Sequence, residues 1–142
     1  MTAPSDLIAA KALALCGTDF HLHGRDPDHG LDCIGLAEIC LHAAGRKCVA
    51  PNGYAMRGGS LAQIATAMVL AGFGEVAADD LSAESNLQDG DVVLVRPSPV
   101  QWHFMIRAKN GFVHAHAGLG AVVFSPGKAA WPITKVFRLS EK

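Results

Sequence analysis

Hydrophobic positions along this chain keep two different periods, one before and one after the turn Gln88-Asp89-Gly90. Upstream they recur at three- and four-residue steps, the spacing of one helix face. Ser5-Asp6-Leu7-Ile8 predicts a capped, short apolar helix that stops at Gly17. Cys33, Leu36, Cys40 and Ala44 predict a second helix, with Asp32 as its N-cap and Gly45 as its stop. A third runs from about Leu61 to Ala71, capped by Ser60 and ended by Gly72. Between the first two, Asp19 to Gly30 carries glycines, a proline and four charges, and reads as a loop. Downstream the pattern becomes that of strands: Asp91-Val92-Val93-Leu94-Val95, His103 to Arg107, Phe112 to His116, Ala121 to Phe124 and Lys135 to Leu139. Ala108-Lys109-Asn110-Gly111 joins two of them as a hairpin, on the strength of its Asn-Gly pair. Helices first and strands afterwards predict an α+β chain, with N-terminal helices packed on a mostly antiparallel sheet of about five strands. Without repeats, low-complexity tracts or linkers, residues 1–142 read as a single domain.

Composition narrows the function classes. Half of the residues are hydrophobic and the formal net charge is −1, so no basic excess points to nucleic acid. No apolar run reaches the roughly 18–20 residues of a membrane span. The early apolar stretch contains Asp6 and Lys11 and lacks a cleavage pattern, which predicts synthesis in the cytoplasm without a signal peptide and reduced thiols. A partner must therefore be recognised by a site and not by bulk charge.

The candidate site centres on Cys33. A cysteine in the first helical turn, behind a capping aspartate and after a polar glycine-rich loop, is open to approach and favoured as a thiolate by unpaired amides and the helix dipole. On this basis Cys33 is expected to alkylate well below pH 8, and faster than Cys16, Cys40 and Cys48, which read as core or incidental. His103 opens one predicted strand and His114 lies on its neighbour, with His116 two residues on and facing the same side. A cysteine and imidazoles delivered from a sheet form a recurrent nucleophile set. A metal reading of His114 and His116 is weaker, because neither a Cys-x-x-Cys nor a His-Glu-x-x-His spacing accompanies them. No cofactor or metal is expected.

These residues resemble a known family. Gly17-Thr18-Asp19-Phe20, Gly24 and Leu31-Asp32-Cys33-Ile34-Gly35-Leu36 look like the nucleophile region of the NlpC/p60 cell-wall peptidases, whose usual form is Gly-Thr-Pro-Tyr, then Gly-Gly, then Asp-Cys-Ser-Gly. Leu87 to Val93 resembles the family's Pro-Gly-Asp-Leu strand start, His103-Phe104-Met105-Ile106 its His-Val-Gly-Ile strand, and Phe112-Val113-His114-Ala115 its following strand. The blocks keep their order across roughly residues 15–125. His21 to Pro27, with His114 to Gly118, resembles the compact versions encoded with phage tails and gene transfer agents.

The resemblance implies a papain-like fold and hydrolysis of peptide bonds in peptidoglycan stem peptides, typically after a γ-linked D-glutamate. It implies Cys33 as nucleophile, His103 as general base and His114 as the third polar group. His116 shares the face of His114 and stays open as an alternative. The backbone N–H of Cys33 is the implied oxyanion donor, with Asp32 beside it. The implied partners are tail or baseplate proteins of a phage-like particle. The chain departs from the family where Phe20 replaces a tyrosine, which implies either that His21 or His23 supplies that donor or that the oxyanion hole is weaker. Ile34 replaces a serine and Met105 a glycine, which implies an altered substrate fit. A structural tail-tip protein that keeps the fold without activity is the competing expectation, against which the intact set Cys33, His103 and His114 argues.

Overall fold

A computed structural model of the chain describes residues 3–22, 24–46, 61–70, 72–76, 87–99 and 101–139. Three helices, α1 (Pro4–Ala14), α2 (Cys33–Ala43) and α3 (Leu61–Leu70), precede most of the strands. The short pair β1 (Arg25–Asp26) and β2 (Gly30–Leu31) lies between α1 and α2. After α3 come β3 (Phe73–Glu75), β4 (Val92–Ser98), β5 (Gln101–Ala108), β6 (Gly111–His116), β7 (Ala121–Pro126) and β8 (Ile133–Leu139). None of the described helices is long and apolar enough to cross a membrane.

Local chemistry explains the helix ends. The α1 N-cap is Ala3, not Ser5, because Pro4 at the first helical position has a preset φ and no N–H to satisfy. Asp32 caps α2 as expected: its carboxylate accepts from the Gly35 N–H at 2.8 Å. Gly45 follows α2 with φ +80°, in the left-handed region that ends helices. The expected Ser60 cap and Ala71 lie outside the described residues.

Six strands pair in the order β3-β8-β4-β5-β6-β7, every pair antiparallel. The strand beyond the expected five is β3, too short for its period to show. The loop expected over Asp19 to Gly30 also contains structure, because β1 pairs with β2. The β5–β6 hairpin turns one residue earlier than its Asn-Gly pair suggests: Lys109 and Asn110 carry the positive φ angles, 48° and 59°. Gly111 is instead required by packing, since a Cβ there would sit 2.5 Å from the Ser125 carbonyl oxygen on β7.

The helices cover one face of the sheet. Ile8 and Ala12 of α1 and Leu36, Cys40 and Leu41 of α2 bury against Val92, Leu94, Phe104, Ile106, Val113 and Ala115. Alternate residues Val93, Val95, Met105, Phe112 and Val136 form a second buried cluster, covered by Leu87, Ala129, Trp131 and Ile133. Burial on both faces explains why β4 reads as an unbroken apolar run. Asp91, at the foot of β4, is fully buried and receives two hydrogen bonds from Arg138 of β8, at 2.9 and 2.8 Å, and one from the Gln88 N–H at 2.8 Å. Its carbonyl also accepts from Arg107 of β5 at 2.9 Å. One residue thereby joins three strands.

Candidate active site

The chain is led to Cys33 along the edge of the sheet. Gly17 and Phe20 donate backbone hydrogen bonds to Val122 and Gly120, both at 2.8 Å, so residues 17–20 line β7. Leu31 then donates to the Asp19 carbonyl at 2.9 Å, and α2 begins two residues later. Within its first turn, the Asp32 carboxylate takes the Gly35 N–H and the Asp32 carbonyl takes that of Leu36. The two earlier N–H groups, those of Cys33 and Ile34, act on the Cys33 sulfur.

The sheet opens where the thiol meets it. The β5–β6 ladder ends at Ile106 paired with Val113. Arg107 donates toward β4, so by antiparallel alternation the Phe104 N–H points toward β6, beyond the last rung. There it is near enough to the Cys33 sulfur to favour the thiolate. The nucleophile candidate is thus held against the backbone of the residue that follows His103.

His103 and His114 meet on the face that carries Trp131. A hydrogen bond of 3.0 Å joins His103 Nε2 to His114 Nδ1, and His114 Nε2 lies 3.2 Å from the Ser125 hydroxyl. Trp131 stands edge-on to both rings, with centroids 5.6 and 5.8 Å away. With Nε2 of His103 engaged, Nδ1 is the nitrogen left for a thiol.

Electrostatics keeps this set neutral at rest. Burial, seconded by its imidazole neighbours, pushes His103 down to about 3; burial and then His116 push His114 down to about 4. Burial pushes the Cys33 thiol up to about 12, and Asp32 adds to the rise; the N–H groups of Phe104, Cys33 and Ile34 act the other way without overcoming it. The expected low-pH thiolate and open approach are therefore corrected. Cys33 is only 7% exposed, and desolvation outweighs the helix terminus. Iodoacetamide modification of Cys33, followed by peptide mass analysis, should climb past pH 9 without levelling off. A plateau below pH 8 would contradict this.

Depressed imidazoles also link stability to pH. Both histidines bind protons in the unfolded chain near 6.5 but resist them when folded, so the stabilisation is present above about pH 6.5 and lost as pH falls toward 4 and 3. The melting temperature should fall over that window, and fall less steeply in a His103→Gln/His114→Gln variant.

A scan against protein-family models and a search of curated proteins each find no match to the chain. Solved structures do match. NlpC1 and NlpC2 from Trichomonas vaginalis superpose with TM-scores of 0.70 and 0.67 at 14% and 12% identity, covering 97% and 96% of this chain. The NlpC/p60 domain of the peptidoglycan hydrolase SagA gives 0.64 at 18% identity, over 95% of this chain and 98% of that one. The chain has the NlpC/p60 fold. It spans 46% of the length of each Trichomonas chain.

Within this NlpC/p60 fold the remaining expected residues scatter. Phe20 is half-buried against the helix-side core. His21 is exposed, its Nδ1 bonded to the Leu22 carbonyl at 2.9 Å. His23 and Cys48 lie outside the described residues. His116 bonds through Nδ1 to the Leu119 N–H at 3.0 Å, and its ring lies 5.5 Å from that of His114. It is therefore His114, and not His116, that hydrogen-bonds to His103. Cys16 and Cys40 are free thiols, raised by burial, with Cys40 in the core at about 12. Among the described residues no group of three or more His, Cys, Asp or Glu is placed to hold a metal ion. Ser125 and Trp131 are site residues that the sequence patterns missed. Ser125 lies diagonally across β6–β7 from His114, whose direct partner is Val123, and only the register shows this.

Proposed function

We propose that the chain is a cysteine hydrolase that cleaves peptide bonds in bacterial peptidoglycan stem peptides. The observation that carries this reading is the His103–His114 hydrogen bond formed next to the sheet opening that holds the Cys33 sulfur. The solved structures that share the fold include the peptidoglycan hydrolases SagA and RipB, the latter from Mycobacterium tuberculosis, and lend it support.

The chemistry starts from a neutral pair. As Cys33 Sγ attacks the scissile carbonyl carbon, its proton passes to His103 Nδ1. His114 holds the His103 ring and accepts from its Nε2–H once the ring is cationic. The oxygen of the tetrahedral adduct is stabilised by the Cys33 N–H, a contribution of about 3–4 kcal/mol for one such donor. The adduct collapses to a thioester, and the departing amine takes the proton from His103. Water then attacks the thioester with His103 again as base, releasing the acid and restoring the thiol.

We place this activity in a phage-like tail or gene transfer agent. On this reading the chain is made in the cytoplasm, bound by tail or baseplate proteins and carried to the cell wall. The resemblance of His21 to Pro27 and of His114 to Gly118 supports that setting. The burial of Cys33 favours the competing reading, a structural tail-tip protein without activity. Digestion of purified sacculi, with the released muropeptides identified by mass, separates the two. Peptides newly ending at γ-linked D-glutamate are expected; inert sacculi together with stable binding to a tail complex would leave the structural reading.

A further inference from the structure

We infer that Ser125 is a positioning residue of this site, the terminal acceptor of a chain that runs from His103 through His114 to the Ser125 hydroxyl. The inference rests on the cysteine-hydrolase reading and adds a member that neither the family blocks nor the histidine spacing identifies. Two contacts carry it: 3.0 Å between His103 Nε2 and His114 Nδ1, and 3.2 Å between His114 Nε2 and Ser125 Oγ.

Proton placement gives the chain a direction. When His103 holds the thiol proton, both of its nitrogens carry hydrogen, so His114 Nδ1 must accept. The single hydrogen of a neutral His114 is then on Nε2, and Ser125 Oγ must accept it. In the resting state the reverse order is also possible, because a hydroxyl can donate as well. That reverse order places a hydrogen on His103 Nδ1 and leaves it unable to take the thiol proton. A serine acceptor therefore stabilises the charged state of the reaction more than the resting one, which is what accelerates a chemical step.

The surroundings leave few other groups to do this. The rings are faced by His116 from β6, Ser125 from β7 and Trp131. Among the described residues neither imidazole has a carboxylate within ion-pair distance. The hydroxyl takes the place that an orienting acid would occupy.

The test compares Ser125→Ala and Ser125→Thr with the unaltered chain, using two readouts. The first is nitrogen-15 NMR titration of the imidazoles, which needs no substrate. Ser125→Ala should lower the protonation midpoint of His103 and raise the share of His114 carrying its hydrogen on Nδ1; Ser125→Thr should restore both. The second is turnover of a soluble stem peptide. Here Ser125→Ala should lose roughly tenfold in kcat with KM within about twofold, and Ser125→Thr should recover most of the loss. A purely structural serine would lower the melting temperature and leave the titration in place, and that result would overturn the inference. If the unaltered chain turns over no stem peptide, the hydrolase reading falls, and the titration alone decides whether Ser125 controls the imidazole pair.

Discussion

Cys33→Ala is expected to reduce turnover of a soluble stem peptide by about 10⁴-fold or more, with little change in the folded state. On the proposed mechanism the sulfur is the atom that forms the thioester, so nothing is left to attack once it is removed. Packing loss is small, because one buried sulfur at the start of α2 is exchanged for a hydrogen on a residue that remains a good helix former. His103→Ala should cost less, about 10²–10⁴-fold, since water at the opened site still removes the proton slowly. The two substitutions together should cost no more than Cys33→Ala alone, because groups acting on one proton transfer do not add. Steady-state turnover of the three variants, beside their melting temperatures, checks both the ranking and the intact fold.

Arg138→Ala is expected to lower stability by about 3–5 kcal/mol, a large loss for a side chain that reaches the surface. Asp91 is fully buried, while the Arg138 side chain is 31% exposed, so the two halves of the ion pair are not equivalent. Removing the guanidinium strands a carboxylate inside the sheet with only the Gln88 N–H as side-chain partner. Removing the carboxylate instead leaves a cation that can reach water, and Asp91→Ala should cost less than Arg138→Ala. For a chain of this size the arginine variant should melt on the order of 10 °C lower. Since Asp91 also joins β4 to β5, part of the loss should appear as reduced turnover through displacement of His103. Thermal denaturation of the two variants side by side tests the asymmetry; equal losses would contradict it.

The parts of the site that rest on local chemistry were legible in the chain. Asp32 three residues before Gly35 announces a cap, and a cap fixes Cys33 at the start of α2. His103 and His114 were legible from their order in successive strands, and their hydrogen bond follows from the hairpin between them. The choice between His114 and His116 was not, because both occupy the same face and only the splay of β5 from β6 decides which reaches His103. Ser125 depends on the β6–β7 register and Trp131 on a connection without period, so neither leaves a signal in sequence. The reactivity of Cys33 is not legible locally, for a related reason. A helix terminus is visible locally, whereas burial beneath the sheet is a property of the whole fold, and for this thiol burial is the larger effect.

Acylation of Cys33 by a stem peptide, with His103 as the base, is the step on which the proposed function stands. Its most direct test is a single-turnover reaction with an activated ester of that peptide, for which acylation outruns hydrolysis of the thioester. A burst of one released alcohol per protein molecule is expected, together with a mass adduct confined to the peptide that contains Cys33. A steady release without a burst, or an equal burst and adduct in Cys33→Ala, would contradict it.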